Sequence, residues 1–154
     1  MNEVAVGITA EFAFAEHEHR ELVRGIDRIH DVALVAGHVT AQELSIASLG
    51  VLDWIEAVLG THAAWEDSWL YPEIDRRAGT PWATKLMTFE HHQIREIARK
   101  LGVGRARYHH EPTHDLAVEL RGQLFALEAL LRAHVEREEL FLIPLLDGAV
   151  DPSA

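Results

Sequence analysis

The sequence predicts an all-α protein, an antiparallel up-down four-helix bundle built from two repeat-related helix pairs. Three observations carry that prediction. Apolar residues recur at three- and four-residue steps through nearly the whole chain. Four long helical stretches are separated by short connections rich in Gly and Pro. The second half of the chain also repeats the first at an offset of 72 residues with no gap.

The first helix is read from Phe12 to Ala36, with Phe12, Ala15, Leu22, Ile26, Ile29 and Ala33 on one stripe and Gly37 as its stop. Thr40-Ala-Gln-Glu43 has the form of a capping box and opens the second helix. That helix runs through Leu44, Leu52, Ile55 and Leu59 to about Tyr71, where Pro72 ends it. A short piece from Glu73 to Ala78 stops at Gly79, and Thr80-Pro81 reads as a cap followed by proline at the first helical position. The third helix is expected to end between Leu101 and Tyr108, with the connection inside Gly102–Thr113. The fourth spans about His114 to Leu142, ahead of Pro144. The bundle is therefore assigned to residues 10–147, with residues 1–9 and 148–154 as terminal tails.

Composition narrows the chemistry. The chain has 154 residues, enough for one domain. With 25 acidic against 14 basic residues, its formal charge is −11, which argues against nucleic acid and anionic membranes as partners. Cysteine is absent, which excludes disulfides, thiolate metal sites and Cys nucleophiles. No uninterrupted apolar run of membrane-spanning length and no basic-apolar secretory leader is visible, so the expected location is cytoplasmic. The unusual count is 11 His, which makes metal ligation by nitrogen and oxygen the first idea to test.

The repeat filters those histidines. Glu18-His19 falls on Glu90-His91, Leu22 on Ile94, Ile55 on Leu127, Glu56 on Glu128 and Leu59 on Leu131. His62 falls on His134, Glu66 on Glu138, Leu70 on Leu142 and Pro72 on Pro144. His-x-x-x-Glu occurs four times, where about two are expected by chance, so the pattern alone is weak. Only His62/Glu66 and His134/Glu138 are related by the repeat, and the single histidines His19 and His91 are related too.

Residues four apart share a helix face, so His62 and Glu66 point one way, as do His134 and Glu138. Ile55, Leu59 and Trp69 flank the first pair, and Leu127, Leu131 and Phe141 the second. Six polar groups thus interrupt four apolar stripes. A buried hydrogen-bond network would explain any single histidine; six residues at one fixed offset point instead to a joint site. Unpaired carboxylates in a bundle core cost several kcal/mol each, and metal binding removes that penalty. Glu139, five residues after His134, lies about 140° around a regular helix, so Glu138 is the preferred ligand. His17 and His92 fall off the shared face, His30 shares the face of His19 but sits 11 residues on, about 16 Å away, and His38, His109, His110 and His114 fall in or beside connections. Four imidazoles and two carboxylates exceed one tetrahedral zinc and suit two bridged first-row ions.

These motifs resemble the haemerythrin-like, or HHE cation-binding, family. The resemblance covers about residues 11–146, through Glu18-His19-x-x-Leu22, His62-x-x-x-Glu66-Asp-x-x-Leu-Tyr-Pro72, Glu90-His91-x-x-Ile94 and His134-x-x-x-Glu138-Glu-x-x-Leu-Ile-Pro144. It implies a non-haem di-iron centre, oxo- or hydroxo-bridged, that meets dioxygen, hydrogen peroxide or nitric oxide. By resemblance His19, His62, His91 and His134 are terminal ligands, and Glu66 and Glu138 bridge. One departure matters. The oxygen carriers have His-x-x-x-His on the third helix, whereas the fourth residue after His91 is Arg95. With no evident substitute for the fifth imidazole, each iron is expected to keep an exchangeable position. That favours a reaction with peroxide or dioxygen, catalase-like turnover included. The alternative is a non-catalytic oxygen, nitric-oxide or iron sensor. A third reading, a metal-free helical module, is separated from both by metal content.

Overall fold

The computed structural model describes residues 3–146, with side chains from Glu18 onward. Four helices form the bundle: α1 (Glu3–Val35), α2 (Ala41–Ala78), α3 (Lys85–His110) and α4 (residues 114–146). Each helix packs on its neighbours in chain order, and α1 closes the ring against α4. The expected all-α bundle is thus the observed one.

Local chemistry places most of the boundaries. Thr40 and Glu43 form the expected capping box: the Thr40 Oγ1 accepts from the Glu43 amide at 3.3 Å, and the Thr40 amide donates to Glu43 Oε2 at 2.8 Å. Gly79 ends α2 in the left-handed region, at φ 68°, where a side chain would be strained. Thr113 caps α4 by accepting from the Leu116 amide.

Five boundaries differ from the sequence reading. The α1 backbone is already helical at Glu3, ahead of Phe12. Pro81 starts a turn, not a helix; the Thr84 amide donates to Asp75 Oδ1 at 3.1 Å, and α3 begins only at Lys85. α3 runs on through Gly102 and Gly104 to His110, which leaves a connection of residues 111–113. Gly104 belongs inside the helix because a Cβ there would come within 3.2 Å of Leu120 and Gln123 on α4. Neither Pro72 nor Pro144 ends its helix.

The proline result has a specific cause. A π turn, Glu66–Leu70, precedes Pro72, and another, Glu138–Leu142, precedes Pro144. In each, the amide just before the proline bonds five residues back: Tyr71 to the Glu66 carbonyl, Ile143 to the Glu138 carbonyl. Proline in a regular helix lacks a donor and strikes the carbonyl four residues back. The wider turn gives the ring room, and the helix continues. It also shifts the apolar phase by one residue. Leu142 is buried while Phe141 is 66% exposed, so Phe141 does not line the core as the regular period suggests.

The interior has three layers. A large apolar cluster includes Leu22, Ile26, Ile94, Leu101, Leu127 and Leu131. A smaller one joins Leu70, Tyr71, Ile74, Met87, Leu142 and Leu146. Between them, in register on all four helices, lie His19, His62, Glu66, Glu90, His91, His134 and Glu138, all buried. An 18-residue window of α2 has mean hydropathy 1.4, apolar enough by composition alone to cross a membrane. In the bundle 28% of that window is buried.

Gly25 on α1 packs directly against Trp54 on α2. A Cβ there would overlap the Trp54 indole, whereas nothing lies within 4 Å of one at Gly122 on α4. Gly25→Ala is therefore expected to destabilise by about 1–3 kcal/mol through overpacking. Gly122→Ala should stabilise by about 0.5–1 kcal/mol through helix propensity. Urea denaturation of both variants checks the pair; a Gly25→Ala midpoint at or above wild type contradicts the packing.

Candidate metal centre

Each helix contributes one imidazole to the polar layer: His19 from α1, His62 from α2, His91 from α3 and His134 from α4. The carboxylates of Glu66 and Glu138 enter from α2 and α4 and are fully buried. The wider turns that start at these two residues aim them inward one helical turn below His62 and His134.

Donor atoms converge in two groups. One donor each from His19, His62, Glu66 and Glu138 lie within 4.8 Å of one another, as do donors from Glu66, His91 and His134. Each carboxylate divides its oxygens between the two histidine pairs. Glu66 Oε1 lies 2.6 Å from His62 Nε2 and 3.8 Å from His19 Nε2, and its Oε2 lies 3.1 Å from His91 Nε2. Glu138 Oε2 lies 3.2 Å from His19 Nε2, and its Oε1 lies 3.7 Å from His134 Nε2. The structure thus brings all six sequence-selected residues together.

Orientation shows that these groups do not simply satisfy one another. Among the described residues, both ring nitrogens of His19 and His62, Glu66 Oε1 and Glu138 Oε2 are buried without a partner in hydrogen-bond geometry. His62 Nε2 and Glu66 Oε1 are close, yet they aim past each other at shared space. Orphaned buried polar atoms cost about 1–3 kcal/mol each. A cation among them would take one nitrogen of each imidazole and one oxygen of each carboxylate, so the donor set fits a metal.

An outer ring of carboxylates faces the opposite nitrogens. His62 Nδ1 lies 3.6 Å from Glu18, His134 Nδ1 3.0 Å from Glu90, His91 Nδ1 3.0 Å from Asp67 and His19 Nδ1 3.4 Å from Glu139. This ring obeys the same 72-residue offset: Glu18 pairs with Glu90, and Asp67 with Glu139. Asp67 and Glu90 are hydrogen-bonded to His91 and His134, and such partners fix a ligand's tautomer and orientation; Glu139 and Glu18 stand beside His19 and His62 outside hydrogen-bond geometry. Glu139, off the face of a regular helix, reaches His19 because the π turn at Glu138 rotates successive residues by less. Glu90 is the most buried member of the ring and also pairs with Arg137. The sequence reading placed Glu18 and Glu90 in motifs without giving them this part; their presence in the repeat was the available signal.

Tyr71 was also missed. Its hydroxyl donates to Glu138 Oε1 in a short hydrogen bond and lies 3.4 Å from His91 Nε2 and 3.5 Å from His134 Nε2. Arg95, by contrast, is exposed and does not reach the centre. Tyr71 thus adds a buried hydroxyl beside His91 and His134 that the sequence reading did not include. The remaining histidines stay outside: His30 pairs with Glu128 at 3.1 Å, and His38, His92, His109, His110 and His114 are exposed. The side chain of His17 lies outside the described residues.

Charge follows the geometry. Burial opposes the imidazolium of His19, but the Glu138 and Glu66 carboxylates outweigh it and push its pKa up to about 10. Burial likewise opposes the charged form of His91, while Glu66 and Asp67 push it up. Burial would raise Glu66, yet His19, His62 and His91 hold it well below the usual carboxylate range. Burial, with the charges of Glu138 and Glu66, keeps the Tyr71 phenol protonated.

The hemerythrin HHE cation binding domain matches residues 10–146. The chain belongs to this family. No curated protein and no solved structure matches it. As an HHE-domain protein it is a metal-binding protein, and the buried His/Glu layer is where its fold gathers donors for a cation.

Two predictions follow from this centre. Without metal, the raised pKa of His19 contributes stability in full below 6.5 and loses it as pH rises toward about 10. The lowered pKa of Glu66 contributes above 4.5 and loses it as pH falls further. Metal-free protein should therefore be most stable between pH 4.5 and 6.5. Urea midpoints across pH check this, and a maximum above pH 8 contradicts it. Second, Glu66→Ala and Glu138→Ala should each lose most bound metal. Glu90→Gln should weaken binding about 10–100-fold. Glu21→Ala and Glu96→Ala should bind normally, since those side chains sit outside with Arg24 and Arg99. Equal loss in all five variants, by metal analysis, would contradict the assignment.

Proposed function

We propose that this HHE-domain protein holds two iron ions and reacts with hydrogen peroxide or dioxygen, with catalase-like turnover as its first activity. In this reading His19 and His62 hold one ion and His91 and His134 the other, while Glu66 and Glu138 bridge them. The observation that carries it is the division of each carboxylate between the two histidine pairs, with Oε1 of Glu66 toward His62 and Oε2 toward His91. A single closed zinc site has no use for that arrangement. Imidazole and carboxylate donors together favour iron or manganese over calcium or magnesium.

Two adjacent irons supply a two-electron change, which is what disproportionation of peroxide to water and dioxygen requires. The chain's own part is to position and to exclude. The apolar clusters on both sides of the polar layer keep bulk water away, and Trp65 stacked on Trp69 covers the α2 side near His62. Phe141, expected to help shield the centre, points outward instead. Admission of a small molecule is supported by a cavity of about 200 Å³ between α2 and α3. Gly60, Ala63 and Ala64 leave that space, which reaches His91 and opens beside Arg95. Their repeat counterparts are Arg132, Val135 and Glu136, all larger. The partners in this reading are small molecules, and the expected setting is the cytoplasm.

Iron-replete protein is expected to carry about two irons per chain and to release dioxygen from added hydrogen peroxide at a rate proportional to iron content. Metal analysis and an oxygen electrode check both. Iron without oxygen release, together with reversible binding of dioxygen or nitric oxide, would replace the catalytic reading with that of a sensor. No iron at all, with a melt unchanged by chelator, would overturn both.

A further inference from the structure

The proposed ligand set leaves Tyr71 unexplained. Its side chain is buried, 2% exposed, in a layer where every other polar group is a histidine or a carboxylate. The hydroxyl oxygen lies 3.4 Å from His91 Nε2, 3.5 Å from His134 Nε2 and 3.5 Å from Glu66 Oε2, and makes its short contact with Glu138 Oε1. Those four atoms are the donors assigned above to one of the two metal positions. A residue present only to donate one hydrogen bond to Glu138 has no need to stand near equally far from the other three. Donors about 2.0–2.2 Å from a shared first-row ion lie about 3.0–3.5 Å from each other, because they occupy neighbouring corners of one polyhedron. The Tyr71 oxygen meets that spacing toward both imidazoles and toward Glu66.

The repeat sharpens the point. Tyr71 corresponds to Ile143, so the other metal position has no phenol. The orphaned donor atoms fall on that other side too: those of His19 and His62, with Glu66 Oε1 and Glu138 Oε2. The two positions are matched in histidine and carboxylate and differ by one oxygen.

We propose that Tyr71 is a metal ligand, its phenolate oxygen coordinating the ion held by His91 and His134. The assignment rests on the di-iron reading above. On binding, the phenol O–H bond breaks, the oxygen keeps the electron pair and bonds the cation, and the proton passes to solvent. No electron is transferred in that step. The cation replaces the proton as the positive partner of Glu138.

The test uses the iron(III)-loaded full chain. Iron(III) phenolate has a visible ligand-to-metal charge-transfer absorption, and excitation in it enhances phenolate ring modes in the resonance Raman spectrum, a coupled pair of signals that His, Glu and an oxo bridge do not produce. The chain has two tyrosines, Tyr71 and Tyr108. Wild type should show both signals, and ring-deuterated tyrosine should shift the Raman modes, which requires no substitution. Tyr108→Phe should keep the signals; Tyr71→Phe should lose them while retaining helicity and at least half the iron. Iron-loaded wild type without the absorption, or signals that persist in Tyr71→Phe, would each overturn the ligand assignment and leave the di-iron reading standing. Failure to take up iron would overturn both.

Discussion

Two carboxylates buried at the centre of the bundle are the constraint on which the rest of the structure depends. Glu66 and Glu138 have no exposed surface. Ionised groups in such a place cost several kcal/mol each unless opposite charge surrounds them. Four imidazoles ring the two carboxylates, one from each helix, so the carboxylates dictate where all four helices stand along the bundle axis. A helix displaced by one turn would move its imidazole about 5.4 Å and strand a carboxylate. The apolar clusters above and below the layer drive association; the carboxylates decide its register.

The second organising element is the pseudo-twofold relation between the chain halves. It holds for the histidines and for the inner carboxylates. It holds as well for the outer pairs Glu18/Glu90 and Asp67/Glu139, each member of which lies beside an imidazole on another helix. The π turns before Pro72 and Pro144 obey it too. Departures are few and concentrated on one side: Tyr71 against Ile143, the small residues at 60, 63 and 64, and a further π turn at Ile55–Leu59 with no partner in α4. A symmetric donor set thus sits in an asymmetric enclosure.

Much of this was legible in the sequence because it rests on period and repetition. The apolar rhythm located four helices, and the fixed offset selected six of the residues now found converging out of 11 His and many acids. What escaped was whatever departs from 3.6 residues per turn. Pro72 and Pro144 read as helix ends because a π turn has no signature in an apolar pattern. The same turns put Phe141 outside and bring Glu139 within reach of His19. Tyr71 escaped for a different reason. It lies in an apolar run, Trp69 to Tyr71, beside a buried leucine, and its repeat counterpart is apolar. The repeat therefore passed over a polar group that breaks its symmetry.

One imidazole per helix also bears on folding kinetics. A helix hairpin alone brings together only half of the donor set, so the complete centre exists only once all four helices have docked. A ligand that binds only there favours the native state by mass action and does little for partly assembled species. Contacts formed after the main barrier act chiefly on the unfolding rate. Occupancy of the centre is therefore expected to slow unfolding of the bundle more than it changes its assembly rate.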